Sequence, residues 1–359
     1  MELSKGIQRL GKIRIKDIAE IANVSIGTVD RVLHNRGEVS EATRRKVKKL
    51  LEEYNYKPDM MASSLALKRE IRLAVVMPRV VNDHVFWKLP QSGIDRAVNE
   101  LAHFNMSVVC HYFDQDESTD FKRMTTGFPY EQFHGVLFAP VFQKESISFL
   151  RRCEHHGLPV VLFNSLIESD AVKSYVGQDA FQSGYLAAKL INYGMEPRRD
   201  VAIINMATRS DQTAHILRRE KGFRTYFEEH SGRLSRLLTI HLSGAEDQDL
   251  SGMLFQTLEE YDISGLFVTN SRVYKVAEFL ASQGLMNIRL VGYDLLPESI
   301  DYLQRDYIDF LISQKPAEQA FKGLNSLFYL VAFNREPETR QMLPIDIITR
   351  ENLKYYQPS

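Results

Sequence analysis

Seven apolar runs of strand length mark the chain from residue 71 onward: IRLAVVMP (71–78), MSVVCHYF (106–113), HGVLFAP (134–140), LPVVLFN (158–164), RDVAIINM (199–206), GLFVTN (265–270) and IRLVGYD (288–294). Segments with helical periodicity separate them, as QSGIDRAVNELAHF (91–104) illustrates. Such alternation specifies parallel sheets with crossover helices, because a parallel strand pair cannot be closed by a tight turn. In open sheets of this kind ligands gather beyond the carboxyl ends of the strands. Seven strands exceed one doubly wound unit, so two lobes with a cleft between them are expected.

Upstream of residue 70 the sequence changes character. The 359-residue chain has a net charge of -1, yet Met1 to Arg69 carries 15 Lys+Arg against 9 Asp+Glu, about +6, which leaves about -7 for the rest. A basic head on an acidic body suits a head that meets a polyanion. Only two cysteines occur, Cys110 and Cys153, each in or beside an apolar stretch, so buried reduced thiols are expected. No run of eighteen apolar residues is present, and MELSKGIQRLGKIRIK lacks the apolar centre of a signal peptide. The expectation is a cytoplasmic protein without membrane contact.

In the head, Ile15, Ile18, Ala19 and Ala22 recur at helical spacing, and Asn23 suits the left-handed residue that ends a helix. Ser25 then caps a second helix in which Val29, Val32 and Leu33 share a face, leaving Ile26, Gly27, Asp30 and Arg31 outward. Two short helices joined by a tight turn make a helix-turn-helix, whose second helix can enter a major groove. Ser40 caps a third helix with the stripe Val47, Leu50, Leu51 and Tyr54, and Asn55 and Pro58 mark its end. Arg44, Arg45, Lys46, Lys48 and Lys49 stay outside, either as solvated charges or as phosphate contacts.

The stretch IRIKDIAEIANVSIGTVDRVLHNRGEVSEATRRKVKKLLEEYNYKPDMMASSLA closely resembles the DNA-binding domain and hinge of the LacI/GalR family of bacterial transcription regulators. The resemblance implies a head at 12–58 after an N-terminal tail (1–11), a hinge helix at 59–69 and an effector-binding and dimerisation domain at 70–359. It also sets Ile26 and Gly27 against base edges, with Arg31 reaching from the next turn. Arginine can donate bidentately to guanine, and isoleucine can pack on a thymine methyl. Gly27 costs a helix about 1 kcal/mol relative to alanine, which either permits close approach to DNA or reflects drift at an exposed site. Asp30 stands where the family usually has serine; it could accept from cytosine N4 or orient Arg31. Ser25, Thr28 and Ser40 suit phosphate contacts that set register. Lys16, His34 and Arg44 complete the implied DNA-facing set. Leu65 matches the family leucine that wedges into a central minor-groove step, the alternative being a flexible linker with an incidental leucine.

No glycine-rich phosphate loop follows the first strand, and GxSxG, HExxH and CxxC are absent, so neither a cofactor nor catalysis is expected. His155 and His156 are adjacent, a poor spacing for joint metal ligation from a helix. The body resembles the periplasmic-binding-protein-like (type I) effector domain of the same family, which implies an N-lobe of about 70–176 and 314–343 and a C-lobe of about 177–313 and 344–359. The fold class is thus a small all-α head plus a two-lobed α/β body with parallel sheets flanked by helices. Strand-end landmarks carry over as effector-binding residues: Asn164, Arg219 in RREKGF, Asn270, Asp294 and Gln314. Such groups match the alternating donors and acceptors of a sugar. Phe86 and Trp87 follow the first strand, where relatives place stacking aromatics; a core role is the other reading. Ser271 and His215 depart from the family pattern, and Arg219 is the one cation placed in the cleft, which favours an unphosphorylated monosaccharide or sugar acid.

The resemblance further implies a homodimer on near-palindromic operator DNA. ENLKYYQPS carries no heptad leucines, which argues against a tetramerising tail. The function expected is a ligand-responsive repressor of carbohydrate-utilisation genes. Its rivals are a sugar-modifying α/β enzyme fused to a DNA-binding head and a solute-binding protein serving a transporter.

Overall fold

The structure, a computed structural model, describes residues 13–33, 37, 39–54, 56, 70–81, 85–207, 214–230, 232, 234–243 and 247–356. Among the residues singled out above, His34, Asn55, Pro58 and Leu65 lie outside the described set.

The head is built from α1 (Ile15–Ala22), α2 (Ile26–Leu33) and α3 (Glu41–Glu53). Short polar side chains satisfy the first N–H groups: Ser25 Oγ accepts from Thr28 N at 3.1 Å, and Ser40 Oγ accepts from Thr43 N at 3.3 Å. Asn23 ends α1 in the left-handed region (φ 55°, ψ 50°). Ile18, Ala19, Ala22, Val29, Val32 and Val47 form the buried core. One stripe residue differs from expectation. Tyr54 is 42% exposed, and Tyr56 packs on the core instead. The helix stops at Glu53, and Tyr56 N donates to Leu51 O at 2.9 Å, a fold-back that lands the later ring on the apolar face.

The body contains two six-stranded sheets. The first joins β1 (Ile71–Pro78), β2 (Met106–Phe113), β3 (Gly135–Phe138), β4 (Val160–Phe163), β5 (Val172–Gly177) and β11 (Arg340–Met342) in the order β11-β5-β4-β3-β1-β2, with every pair parallel. The second joins β6 (Arg199–Ala207), β7 (Leu234–Ser243), β8 (Ile263–Val268), β9 (Arg289–Tyr293), β10 (Phe310–Ser313) and β12 (Asp346–Ile348) in the order β12-β10-β9-β8-β6-β7. Only the β10–β12 pair is antiparallel. Apart from β11 and β12, the strand order of the first sheet repeats in the second. Helices α4 (Lys88–Glu100), α5 (Ser118–Thr126), α6 (Gln143–His155), α7 (Ala180–Asn192), α8 (Ala214–Glu229), α9 (Asp247–Glu260), α10 (Val273–Ser282), α11 (Pro297–Gln304) and α12 (Pro316–Phe333) complete the body.

Two helices exchange sheets. α7 follows β5 of the first sheet, yet its Ala187, Ala188 and Ile191 pack with Val201, Ile203 and Phe267 of the second. α12 follows β10 of the second, yet its Leu324, Leu327 and Phe328 pack with Leu73, Leu137 and Val161 of the first. The chain therefore crosses between lobes after β5, after β10 and between β11 and β12. The buried Gln178 ties all three crossings, since its Nε2 donates to Ser313 O at 2.8 Å and Pro344 O at 2.7 Å.

The exchanged helices touch their neighbours backbone to backbone. A Cβ on Gly222 of α8 would lie 1.9 Å from Phe181 O, and one on Gly184 of α7 would lie 1.9 Å from Arg219 O. Glycine is required there by close approach rather than by turn geometry. Cys153 is buried, Cys110 is half-buried and both are free thiols. His155 and His156 are exposed.

Candidate functional site

On α2 the apolar face is consumed by the core, with Val29 and Val32 buried. Ile26 is 51% exposed, Gly27 and Arg31 are exposed, and Thr28 and Asp30 are half-buried on the outer side. A Cβ on Gly27 would meet only Ser25 Oγ at 3.8 Å, so packing within the head does not demand glycine. The Ser25 and Thr28 hydroxyls hydrogen-bond each other at 2.9 Å. Lys16 and Ser40 are exposed, whereas Arg44 is half-buried and lies 3.8 Å from Glu41.

In the body, a polar cluster occupies the carboxyl ends of β8, β9 and β10. Arg219 comes from α8, whose backbone contact with α7 fixes its turn. It is 3% exposed, donates to Thr269 O at 2.7 Å and to Gln314 Oε1, and lies 3.7 Å above the Tyr293 ring centre. A desolvated guanidinium over an aromatic face gains about 2 kcal/mol. Asp294 follows β9 at φ 67°, the left-handed conformation that Asp and Asn tolerate. Its carboxylate accepts from Gln314 N at 3.1 Å and Gln314 Nε2 at 2.5 Å. Burial raises the Asp294 carboxyl from 3.8 to about 6, against the pull of the Gln314 donors and Arg219.

The first sheet answers with amides. Asn164 follows β4 at φ 67°, and its N–H donates to Gln319 Oε1 at 2.8 Å. Gln319, in the first turn of α12, sends its Nε2 to Gln314 O at 2.7 Å. A continuous chain of hydrogen bonds therefore runs from Arg219 through Gln314 and Gln319 to the strand end at Asn164. A second link is direct: Ser165 Oγ and His215 Nδ1 lie 2.7 Å apart. Burial, with Arg219 beside it, holds the His215 imidazole well below its ordinary range and hence neutral.

Asn270 turns back on its own lobe, donating from Nδ2 to Met206 O at 2.7 Å and accepting Arg272 N at 3.0 Å. The expectation of Trp87 in the cleft is corrected. It is 4% exposed in the core cluster with Ile71, Leu73 and Ile94, and its indole N–H donates to Gln115 at 2.6 Å. A one-turn 3-10 helix (Val85–Trp87) leads straight into α4 and seats the ring against β1. Phe86 is half-buried and meets Trp87 edge-on at 5.0 Å.

Residues 73–335 match the periplasmic binding protein domain family, and residues 14–59 match the bacterial regulatory proteins of the lacI family. The chain belongs to the lacI family. It is 23% identical to a Bacillus subtilis protein assigned as the HTH-type transcriptional repressor ExuR, over 91% of this chain and 93% of the relative. It is 25% identical to the sucrose operon repressor of Lactococcus lactis, over 79% of this chain and 83% of the relative. A Bacteroides fragilis structure assigned as a LacI transcriptional regulator superposes with a TM-score of 0.75 at 28% identity, covering 80% of this chain and all of that one. This lacI-family chain is thus a DNA-binding transcriptional regulator, and the enzyme reading is set aside. No helix among its described residues is long and apolar enough to cross a membrane.

Sequence reasoning missed Tyr293, Thr269, Gln178, Gln319 and the Ser165–His215 contact. Thr269 and Tyr293 each directly precede a residue that was identified at a strand end, which was the available signal. Nothing local marks the two glutamines, whose bonds to Ser313 from Gln178 and to Asn164 from Gln319 span 135 and 155 residues.

Proposed function

We propose that this regulator acts as a cytoplasmic repressor of carbohydrate-utilisation genes, and that a monosaccharide or sugar acid bound between the lobes changes its operator affinity. The observation that carries the reading is the hydrogen-bonded chain Arg219–Gln314–Gln319–Asn164 with Asp294 attached, which joins the carboxyl strand ends of both lobes. A polyol entering there exchanges hydroxyls for those mutual contacts, so its affinity depends on how far the lobes have closed. The sucrose repressor among the relatives supports a carbohydrate effector.

In the head, Ile26 and Arg31 read bases and Gly27 lets the α2 backbone approach the DNA closely, while Lys16, Ser25, Thr28, Ser40 and Arg44 meet phosphates. His34 and Leu65 belong to this proposal from sequence alone. The chain docks as a homodimer on a near-palindromic operator, and closure changes the spacing of the two heads. Couplings of about 1–3 kcal/mol give roughly 5- to 150-fold changes in DNA affinity. The test begins with operator selection from random duplexes, followed by affinity measurements with and without a panel of neutral sugars and sugar acids. Arg31→Ala should cost about 1–3 kcal/mol and relax one base position. Asn164→Asp, which keeps a residue that tolerates the left-handed turn, should weaken the sugar response while leaving DNA binding intact. A sugar-indifferent wild type overturns the effector reading.

A further inference from the structure

Beside the Arg219 cluster, a cavity of about 110 Å³ opens on the seam between the lobes. Tyr175 and Arg340 line it from the first lobe, His215 and Arg218 from α8, and Gln178 and Asp179 from the first crossing. It has room for several water-sized groups, enough for a carboxylate or phosphate on a short stem.

Its charges do not balance. Two guanidiniums face one carboxylate, and Asp179 already caps α7 by accepting Gln182 N at 3.0 Å. Arg340 pairs with Glu168 at 2.7 Å, but these side chains are 56% and 79% exposed, so the pair is worth at most about 1 kcal/mol and exchanges readily. Arg218 has no ion-pair partner among the described residues. The buried Tyr175 hydroxyl reports the same field: burial pushes it up to about 12, while Arg219, Arg218 and Arg340 pull it down and Asp179 adds to the rise. A low-dielectric wall facing water on one side strengthens such a field.

We propose that this cavity binds an anionic group, a carboxylate or phosphate, between Arg218 and Arg340, and that its occupant bridges the two lobes. Guanidinium forks suit both oxyanions. Arg218 adjoins Arg219 in α8, so the anion is carried either by the effector itself or by a separate small metabolite. In the first case the inference deepens the effector reading and rests on it; in the second it stands alone.

The experiment uses the full chain at constant ionic strength. Inorganic phosphate is titrated while the thermal midpoint and the heat of binding are recorded, followed by D-galactose and D-galacturonate as a matched neutral and anionic pair. Saturable phosphate binding is expected, weakened more than tenfold in Arg218→Gln and in Arg340→Gln but unchanged in Arg350→Gln, a surface arginine paired with Asp306. Galacturonate that competes with phosphate assigns the anion to the effector, whereas galactose and phosphate bound together assign it to a separate ligand. Phosphate binding without any sugar binding removes the tested sugars and leaves this site standing. The proposal is overturned if neither anion binds saturably, or if both arginine variants bind as wild type does, whatever the neutral sugar does.

Discussion

The two lobes share a plan and differ in chemistry. Each has the strand order of the other, and each ends its fourth strand in a left-handed residue, Asn164 after β4 and Asp294 after β9, both at φ 67°. Each also seats an exchanged helix against a glycine: a Cβ on Gly93 would lie 1.9 Å from Ala317 O, as one on Gly222 would from Phe181 O. At the strand ends the likeness stops. The first lobe offers neutral amides, and the second buries a carboxylate and a guanidinium at 1% and 3% exposure. Backbone geometry is duplicated because the same packing problem is solved twice. Charge is concentrated in one lobe, so the other can move against it without separating a buried ion pair.

The largest expected difference is a pH effect that arises at Asp294 in the second lobe. Below pH 3.8 the Asp294 carboxyl is protonated both folded and unfolded, and its stabilising contribution is complete. Between 3.8 and about 6 the unfolded chain ionises first, and that contribution is lost as pH rises through the folded value. At about 1.4 kcal/mol per pH unit the loss reaches roughly 3 kcal/mol above pH 6. Asp294→Asn should remove it, so the stability difference between variant and wild type in urea should grow by that amount from pH 3 to pH 7. A constant difference would show that Asp294 is solvated and that the lobes are electrostatically alike.

The shared plan predicts equal damage elsewhere. Gly93→Ala and Gly222→Ala each drive a Cβ into a carbonyl oxygen, and overpacking of this kind costs about 1–3 kcal/mol. Both should lower the unfolding midpoint by similar amounts. If only Gly222→Ala did so, the two helix pairs would not be equivalent.

How much of this could be read in advance follows the same division. Periodicity and caps located the head, and the seven apolar runs became β1 to β4, β6, β8 and β9. The strands that escaped are the ones whose apolar signal is weak or brief: β5 opens on Val-Lys-Ser, β7 reads LSRLLTIHLS at a sheet edge, β10 has four residues, and β11 and β12 three each. The family resemblance pointed to Arg219, Asp294 and Gln314, which the fold brings into contact. It failed for Trp87, because an aromatic after β1 fits a cleft or a core equally well in sequence, and only the 3-10 turn into α4 decides between them. Tyr54 and Tyr56 were confused for a similar reason, since the fold-back at Leu51 leaves no mark in the spacing.

The smallest expected effect tests the seam where the lobes meet. Ser165 belongs to the amide side and His215 to the charged side, and theirs is a direct side-chain contact across that seam. His215 is neutral in its buried setting, so the bond is an ordinary one and its removal should cost only about 0.5–1.5 kcal/mol. A contribution of that size scarcely alters unfolding, yet it is comparable to the free energy that sets a two-state closure equilibrium. Ser165→Ala should therefore leave the urea midpoint almost unchanged and enlarge the radius of gyration measured by small-angle scattering without ligand. Unchanged dimensions would mean that Gln178 and the Gln314–Gln319 pair hold the lobes by themselves, and that closure is governed at the crossings rather than at the facing strand ends.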